Sequence, residues 1–311
     1  MKASTKNLWL KRTYSLFRAV LLIGLSFVIL YPLLLKVAIS LRSAEDILDS
    51  SIILLPKHYT FNNLANVMDT MNYWKAFGNT VLICTLSGLL HVFSCTLVAY
   101  SLAKFQFPGK KLVYVAVILT FFVPPQLLSV PIYTVFKNFD LFGFLQAVMG
   151  KGLNLLDKPV SLLLLYGTAN ALKSGLYIYL LIQFFRNMPR ELDEAAAVDG
   201  ASNTRTLLSI ALPNAKVMLV TVFLFTFVWQ WTDLQYAAMF FQNFEVLSTK
   251  LSVVGQSYAL YLQSQGTLST PLQISQIVSA GSIVFLIPLL ILYLFCNRFF
   301  VQGIERSGIV G

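Results

Sequence analysis

Six stretches of this chain are too long and too apolar to sit in water. They lie at about 14–35, 74–104, 112–136, 162–185, 215–241 and 277–300. A helix needs about 20 apolar residues to cross a bilayer. Hydrocarbon offers no water to peptide groups, so such runs must close their own backbone hydrogen bonds as helices. The reading is therefore an all-α membrane protein with six transmembrane helices. Composition agrees, with 57% hydrophobic and 12% charged residues, where soluble domains carry about 25% charged. The first run is too long for a signal peptide and no small-residue cleavage site follows it, so it reads as an uncleaved first helix.

A net charge of +10 invites a nucleic-acid reading, but the basic residues form no aromatic-interleaved patch. They sort by topology instead. Fourteen of the 23 Lys and Arg fall in the terminal segments, around 104–111, around 186–216 and near 298–306. The positive-inside bias puts these segments and both termini in the cytoplasm. Segments 36–73, 137–158 and 242–276 are then external. Cys84, Cys95 and Cys296 all lie in apolar runs, which suits small packing residues better than disulfides. No Cys-x-x-Cys or His cluster suggests a metal site. No Gly-x-x-x-x-Gly-Lys-Ser/Thr loop occurs, so the chain is not expected to bind ATP, and no metal triad, Gly-x-Ser-x-Gly or paired acids within a span point to an enzyme.

Two runs carry marks of interruption. The third contains Pro124-Pro125 and then Pro131, whose freed carbonyls need partners in protein or a wet cavity. The fourth carries Asn170, Lys173, Ser174 and Gly175 near its middle. Ionisable groups inside a span suggest a pathway or a pairing, and broken helices near the midplane often line transport sites. Alternatively, the fourth span begins later and Lys173 snorkels outward. In the fifth run Trp231 stands beside Asp233, a ring and a carboxylate that suit a sugar's apolar face and hydroxyls. Asp233 could equally be a structural partner of Lys173 or of another subunit. His91, at the centre of the second run, reads as a hydrogen-bonded packing residue. Asn79 suits hydrogen bonding between helices.

Between the fourth and fifth runs lies a polar interval, 189–213, reading PRELDEAAAVDGASNTRTLLSIALP. Pro189 precedes a helix whose first turn is acidic, as the helix dipole favours. Gly200 is placed to end that helix in a left-handed conformation. Ser202 or Asn203 can cap a second helix, and Pro213 is expected to mark a bend after Leu212.

The order Glu194-Ala195-Ala196, Asp199-Gly200-Ala201 and Ile210-x-Leu212-Pro213 resembles the EAA loop of ABC importer permease subunits. Leu207 stands where carbohydrate members often have Phe. Further resemblances to carbohydrate-type permeases, of the kind of the smaller maltose-importer subunit, are Phe122-Val123-Pro124, Pro131-Ile132-Tyr133, Trp231-Thr232-Asp233 and the tail Val301-Gln302-Gly303-Ile304. Thr232 replaces the usual Asn.

The resemblance implies a type I ABC importer transmembrane domain over 14–300, with a cytoplasmic segment 1–13 and tail 301–311. It implies that Glu194, Ala195, Ala196, Asp199, Gly200 and Ala201 couple to an ATPase that holds the ATP and Mg, with no cofactor in this chain. The implied partners are a second homologous permease subunit, two ATPase subunits and an extracytoplasmic binding protein that delivers a sugar or oligosaccharide. The implied location is a bacterial or archaeal cytoplasmic membrane. Asn170, Lys173, Trp231 and Asp233 are the candidates for the substrate path. The alternatives are an importer of glycerol phosphate or a polyol, for which Lys173 could suit an anionic solute, and an ion-coupled secondary carrier.

Overall fold

The computed structural model describes residues 2–306 apart from 44, 47, 48, 50, 53 and 54, with side chains described between 11 and 299. Regular structure among the described residues is helical, and strand pairing is limited to two isolated bridges, Arg42–Tyr59 and Phe139–Leu153. Four helices are long and apolar enough to cross a membrane: Lys11–Ser40, Tyr73–Lys104, Asn203–Thr232 and Pro271–Phe299. The first belongs to α1 (Lys2–Ser40), which begins within the polar N-terminal residues. α2 (Asn62–Thr70) is short, and α3 (Tyr73–Lys104) is the second long helix.

The third and fourth apolar runs are each divided. α4 (Lys110–Leu119) ends before Pro124, which is held extended (ψ 129°) because it precedes Pro125. α5 (Pro125–Lys137) then starts with Pro125 in its first turn, where no N–H is missed. The second interruption expected at Pro131 does not occur. α5 runs through it, losing one ladder N–H without ending. The segment expected to be external holds the short α6 (Phe144–Met149). The fourth run is α7 (Pro159–Gly167) and α8 (Ser174–Arg186).

α9 (Arg190–Val198) and α10 (Asn203–Thr232) follow. The helix does not end at Pro213, which lies in the first turn after a π segment. Pro213 cannot donate, and just before it the ladder widens into a π segment, Leu207–Ala211, in which the Leu212 N–H reaches the Leu207 carbonyl. α10 also stops earlier than the apolar run suggests, because Asp233 opens a separate α11 (Gln235–Phe240). α12 (Leu247–Ser264) occupies the last polar segment, and α13 (Pro271–Arg306) passes through Pro288. Residues 301–306 of the expected tail continue α13, while 307–311 lie outside the described residues.

The chain forms two compact units. One comprises Met1–Asn72 and Val253–Ile287. There Asn63 Nδ2 donates to the Ser40 and Arg42 carbonyls, and Gln276 Nε2 donates to Arg42 as well. The other comprises Tyr73–Ser252 and Pro288–Gly311, and holds both interrupted runs and the elbow. Its centre is α3, against which α7, α8 and α10 pack. The buried face of α3 is small and polar (Cys84, Ser87, Gly88, His91, Ser94, Cys95, Ala99). Small residues let helices approach closely where lipid gives no hydrophobic drive to associate. Gly88 shows the tolerance, since a Cβ there would lie 2.7 Å from the Phe223 ring.

Candidate functional site

The two interrupted runs meet at their breaks. Thr120, Phe121, Val123, Pro125 and Leu128 on one side, and Ala169 to Leu176 on the other, line a cavity of 440 Å³ together with Tyr236. The approach is tight enough to require a glycine. A Cβ on Gly175 would collide with Thr120 Oγ1 and come within 2.8 Å of the Phe121 ring.

The break between α7 and α8 is ordered. The Asn170 N–H reaches the Leu165 carbonyl (2.9 Å), and the Ala169 N–H reaches Tyr166 (3.2 Å). This is a Schellman closure with Ala169 in the left-handed position, φ 56°. Lys173 is left-handed too, φ 64°, and leads into α8. Neither is glycine, so each costs about 1–2 kcal/mol of backbone strain.

Side chains from α3 and α10 bond to residues on both sides of the break. Ser94 Oγ donates to the Tyr166 carbonyl at 2.6 Å. His91 Nε2 lies 2.7 Å from Ser174 Oγ, and its Nδ1 lies 3.0 Å from Thr226 Oγ1. Tyr166 OH donates to Gln230 Oε1 at 2.7 Å. His91 is thus a fully engaged packing histidine with distant partners.

The four path candidates separate. Asn170 and Lys173 line the cavity. Asn170 Nδ2 donates to the carbonyl and the hydroxyl of Thr168, both at 3.2 Å. Lys173 Nζ sits over the Trp229 ring, 4.9 Å from its centroid. Trp231 is 1% exposed, packed between Phe77 (5.9 Å) and Phe227 (5.8 Å). The Asp233 carboxylate accepts from the Tyr236 and Ala237 N–H groups and so caps α11. Among the described ion pairs none joins it to Lys173. Trp229, passed over in the sequence, is the tryptophan that stays half exposed.

The elbow follows α8. The Ala201 N–H bonds to the Ala196 carbonyl at 2.9 Å and the Gly200 N–H to Ala197 at 3.1 Å. Gly200 has φ 69°, so this is the same closure as at Ala169, here with the residue that fits it. Ser202 Oγ accepts from the Arg205 N–H and caps α10. Ala196 is buried, while Glu194, Ala195, Asp199 and Gly200 are exposed. Val198 is 87% exposed, an apolar residue presented on a polar elbow. Asp193 pairs with Lys104 at the end of α3, which ties the elbow to the central helix.

Comparison with known proteins agrees with this architecture. Residues 95–306 match the family model described as binding-protein-dependent transport system inner membrane component. The diacetylchitobiose uptake system permease protein NgcG of Streptomyces coelicolor is 31% identical over 71% of this chain and 68% of its own. The maltodextrin transport system permease protein MdxG of Bacillus subtilis is 27% identical over the whole of both chains. Among solved structures, a bacterial ABC transporter involved in the import of the acidic polysaccharide alginate shares the fold. Its TM-score is 0.70 at 21% identity, covering 93% of this chain and 97% of that one. Those relatives are permease subunits, not enzymes. The resemblance carried by the elbow string therefore holds over most of the chain, and this protein belongs to the inner membrane components of binding-protein-dependent transport systems.

Proposed function

We propose that the chain is one of two permease subunits of an ATP-driven importer for a sugar or oligosaccharide. The observation that carries the reading is the cavity formed where two apolar runs break, one helix length from an ordered elbow. A continuous helix offers a solute only side chains, whereas a break also exposes backbone polar groups at membrane depth. Relatives named for diacetylchitobiose uptake and maltodextrin transport support a saccharide.

On this reading the six apolar runs are six crossings, two of them interrupted, with both termini in the cytoplasm. The elbow at 189–213 docks on an ATPase subunit that carries the ATP and Mg. Val198 and Ala195 supply apolar contact, with Glu194 and Asp199 at the rim. An external binding protein delivers the solute. ATPase closure moves the elbow, and the Lys104–Asp193 pair passes that displacement to α3, whose His91 and Ser94 hold both sides of the break. A switch of this kind requires that the elbow make different contacts in the two states.

The test is uptake by whole cells and ATP hydrolysis by the purified complex. Glu194→Lys and Gly200→Asp are expected to leave the chain inserted and to abolish uptake. Normal uptake in both variants would remove the coupling role. Uptake that collapses with a proton uncoupler while ATP remains available would replace this mechanism with an ion-coupled carrier.

A further inference from the structure

The first unit holds a groove that neither the breaks nor the elbow accounts for. Two adjoining hollows, of 260 and 350 Å³, share Asn66 and Tyr258 in their walls. The walls come chiefly from α2, α12 and the start of α13, and all their residues belong to that unit. On α2, Asn62, Asn66 and Asp69 recur at helical spacing and share one face, while Val67 is buried on another. On α12, Tyr258 and Tyr261 stand one turn apart with ring centroids at 6.3 Å. Tyr261 is 55% exposed, a large ring left on the surface.

The polar side chains of the groove divide into two sets. One set builds it. Asn63 fastens α2 to the Ser40 and Arg42 carbonyls, and Gln276 fastens α13 to Arg42. Thr270 and Gln273 exchange hydrogen bonds as a capping box at the start of α13. Gly255 lets α12 approach α13 closely, since a Cβ there would lie 2.9 Å from Ile274. The other set is unspent. Among the described residues no hydrogen bond uses the side chain of Asn62, Asn66, Asp69, Tyr258 or Tyr261, and only their backbone groups are engaged.

The lining also says what does not fit. Ile277 is its one aliphatic residue and Asp69 its one charge. The buried centre of a protein–protein contact is apolar, and an anionic ligand would meet the Asp69 carboxylate. Unspent donors and acceptors beside aromatic faces suit a neutral molecule with many hydroxyls on an apolar ring. We propose that the first unit carries a saccharide site of its own, for a neutral sugar or oligosaccharide. The Tyr258 and Tyr261 rings cover a sugar face, and Asn62, Asn66 and Asp69 take its hydroxyls. The site shares no residue with the cavity at the breaks and stands whether or not those breaks are the solute path.

The experiment uses the intact permease–ATPase complex without its binding protein. Ser257 lines the groove, so Ser257→Cys in a Cys296→Ser background reports it through the alkylation rate. Cys84 and Cys95 are buried and stay silent. The probes are maltotriose, diacetylchitobiose, trigalacturonate and the open-chain polyol sorbitol. Maltotriose or diacetylchitobiose is expected to slow alkylation, and sorbitol at equal hydroxyl concentration is not. Asn66→Ala and Tyr261→Ala should each raise the concentration for half-protection about tenfold, the scale of one lost hydrogen bond. Neither residue makes a bond that builds the groove. Trigalacturonate should protect more weakly, and Asp69→Asn should remove that difference. Protection by sorbitol as strong as by the sugars, or protection that survives both alanine variants, overturns the site. Equal protection by trigalacturonate overturns the preference for neutral ligands. A groove that no sugar protects overturns the site as well, and protection by sugar-free binding protein instead would make it a docking surface. The coupling and uptake measurements above are decided separately from all of these.

Discussion

Ala169 and Gly200 make the same turn with different residues. Both end a helix through the paired bonds of a Schellman closure, and both have positive φ. Gly200 adopts this without penalty, whereas Ala169 holds its Cβ against the following carbonyl. Ala169→Gly should therefore raise the thermal midpoint of the detergent-solubilised protein, in line with a gain of about 1 kcal/mol. Gly200→Ala should lower it by a similar amount. An Ala169→Gly protein no more stable than its parent would mean that the break relaxes its strain elsewhere. The strained non-glycine residues Ala169 and Lys173 flank the cavity segment, where strain is commonly kept for function rather than stability.

At the scale of elements, two loops of the second unit are tied by one carboxylate. Asp157 Oδ1 accepts from the Gln242, Asn243 and Phe244 N–H groups at 2.8–2.9 Å, and Oδ2 accepts from Asn243 Nδ2. The Asn243 side chain and the Phe244 N–H hold this carboxyl below the usual aspartate range. A depressed pKa gives stability that is complete above the unfolded value, near ~3.9. It is lost as pH falls through the lower, folded value. Amide exchange at 242–244, corrected for intrinsic rates, should thus be unchanged between pH 7 and pH 5. In Asp157→Asn it should rise about tenfold at pH 7, the scale of losing hydrogen bonds to a charged group. Loosening of the wild-type loops already at pH 5 would contradict this.

Legibility in the sequence follows the range of the interactions. Apolar length marked the four long helices, and the flanking prolines and polar residues located the breaks in the two divided runs, because these are local properties. The cap at Ser202 and the turn at Gly200 were readable for the same reason. Pro131 misled, because whether a proline ends a helix depends on how the ladder around it is satisfied. Trp231 and Trp229 are two residues apart, and nothing local tells which faces the interior. Asp233 looked available for a ligand because its partners, the N–H groups of Tyr236 and Ala237, become a helix start only once α10 has ended at Thr232. The partners of His91 are 83 and 135 residues away, beyond any local pattern.

At the scale of the whole molecule, the account joins an elbow exposed to the aqueous phase with a cavity at two helix breaks, through α3. The connection is physical at each step: Asp193 to Lys104, then the length of α3, then His91 and Ser94 to the residues on either side of the break. The central claim is that ATP binding by the ATPase subunit docked on the elbow changes which side of the membrane the breaks face. The most direct test is the reaction of Leu172→Cys with a membrane-impermeant maleimide, in the complete importer reconstituted with its binding protein. The account predicts labelling from the cytoplasmic face without nucleotide. With ATP trapped and the binding protein engaged, labelling should be lost there and gained from the external face. A labelling pattern indifferent to nucleotide would contradict it.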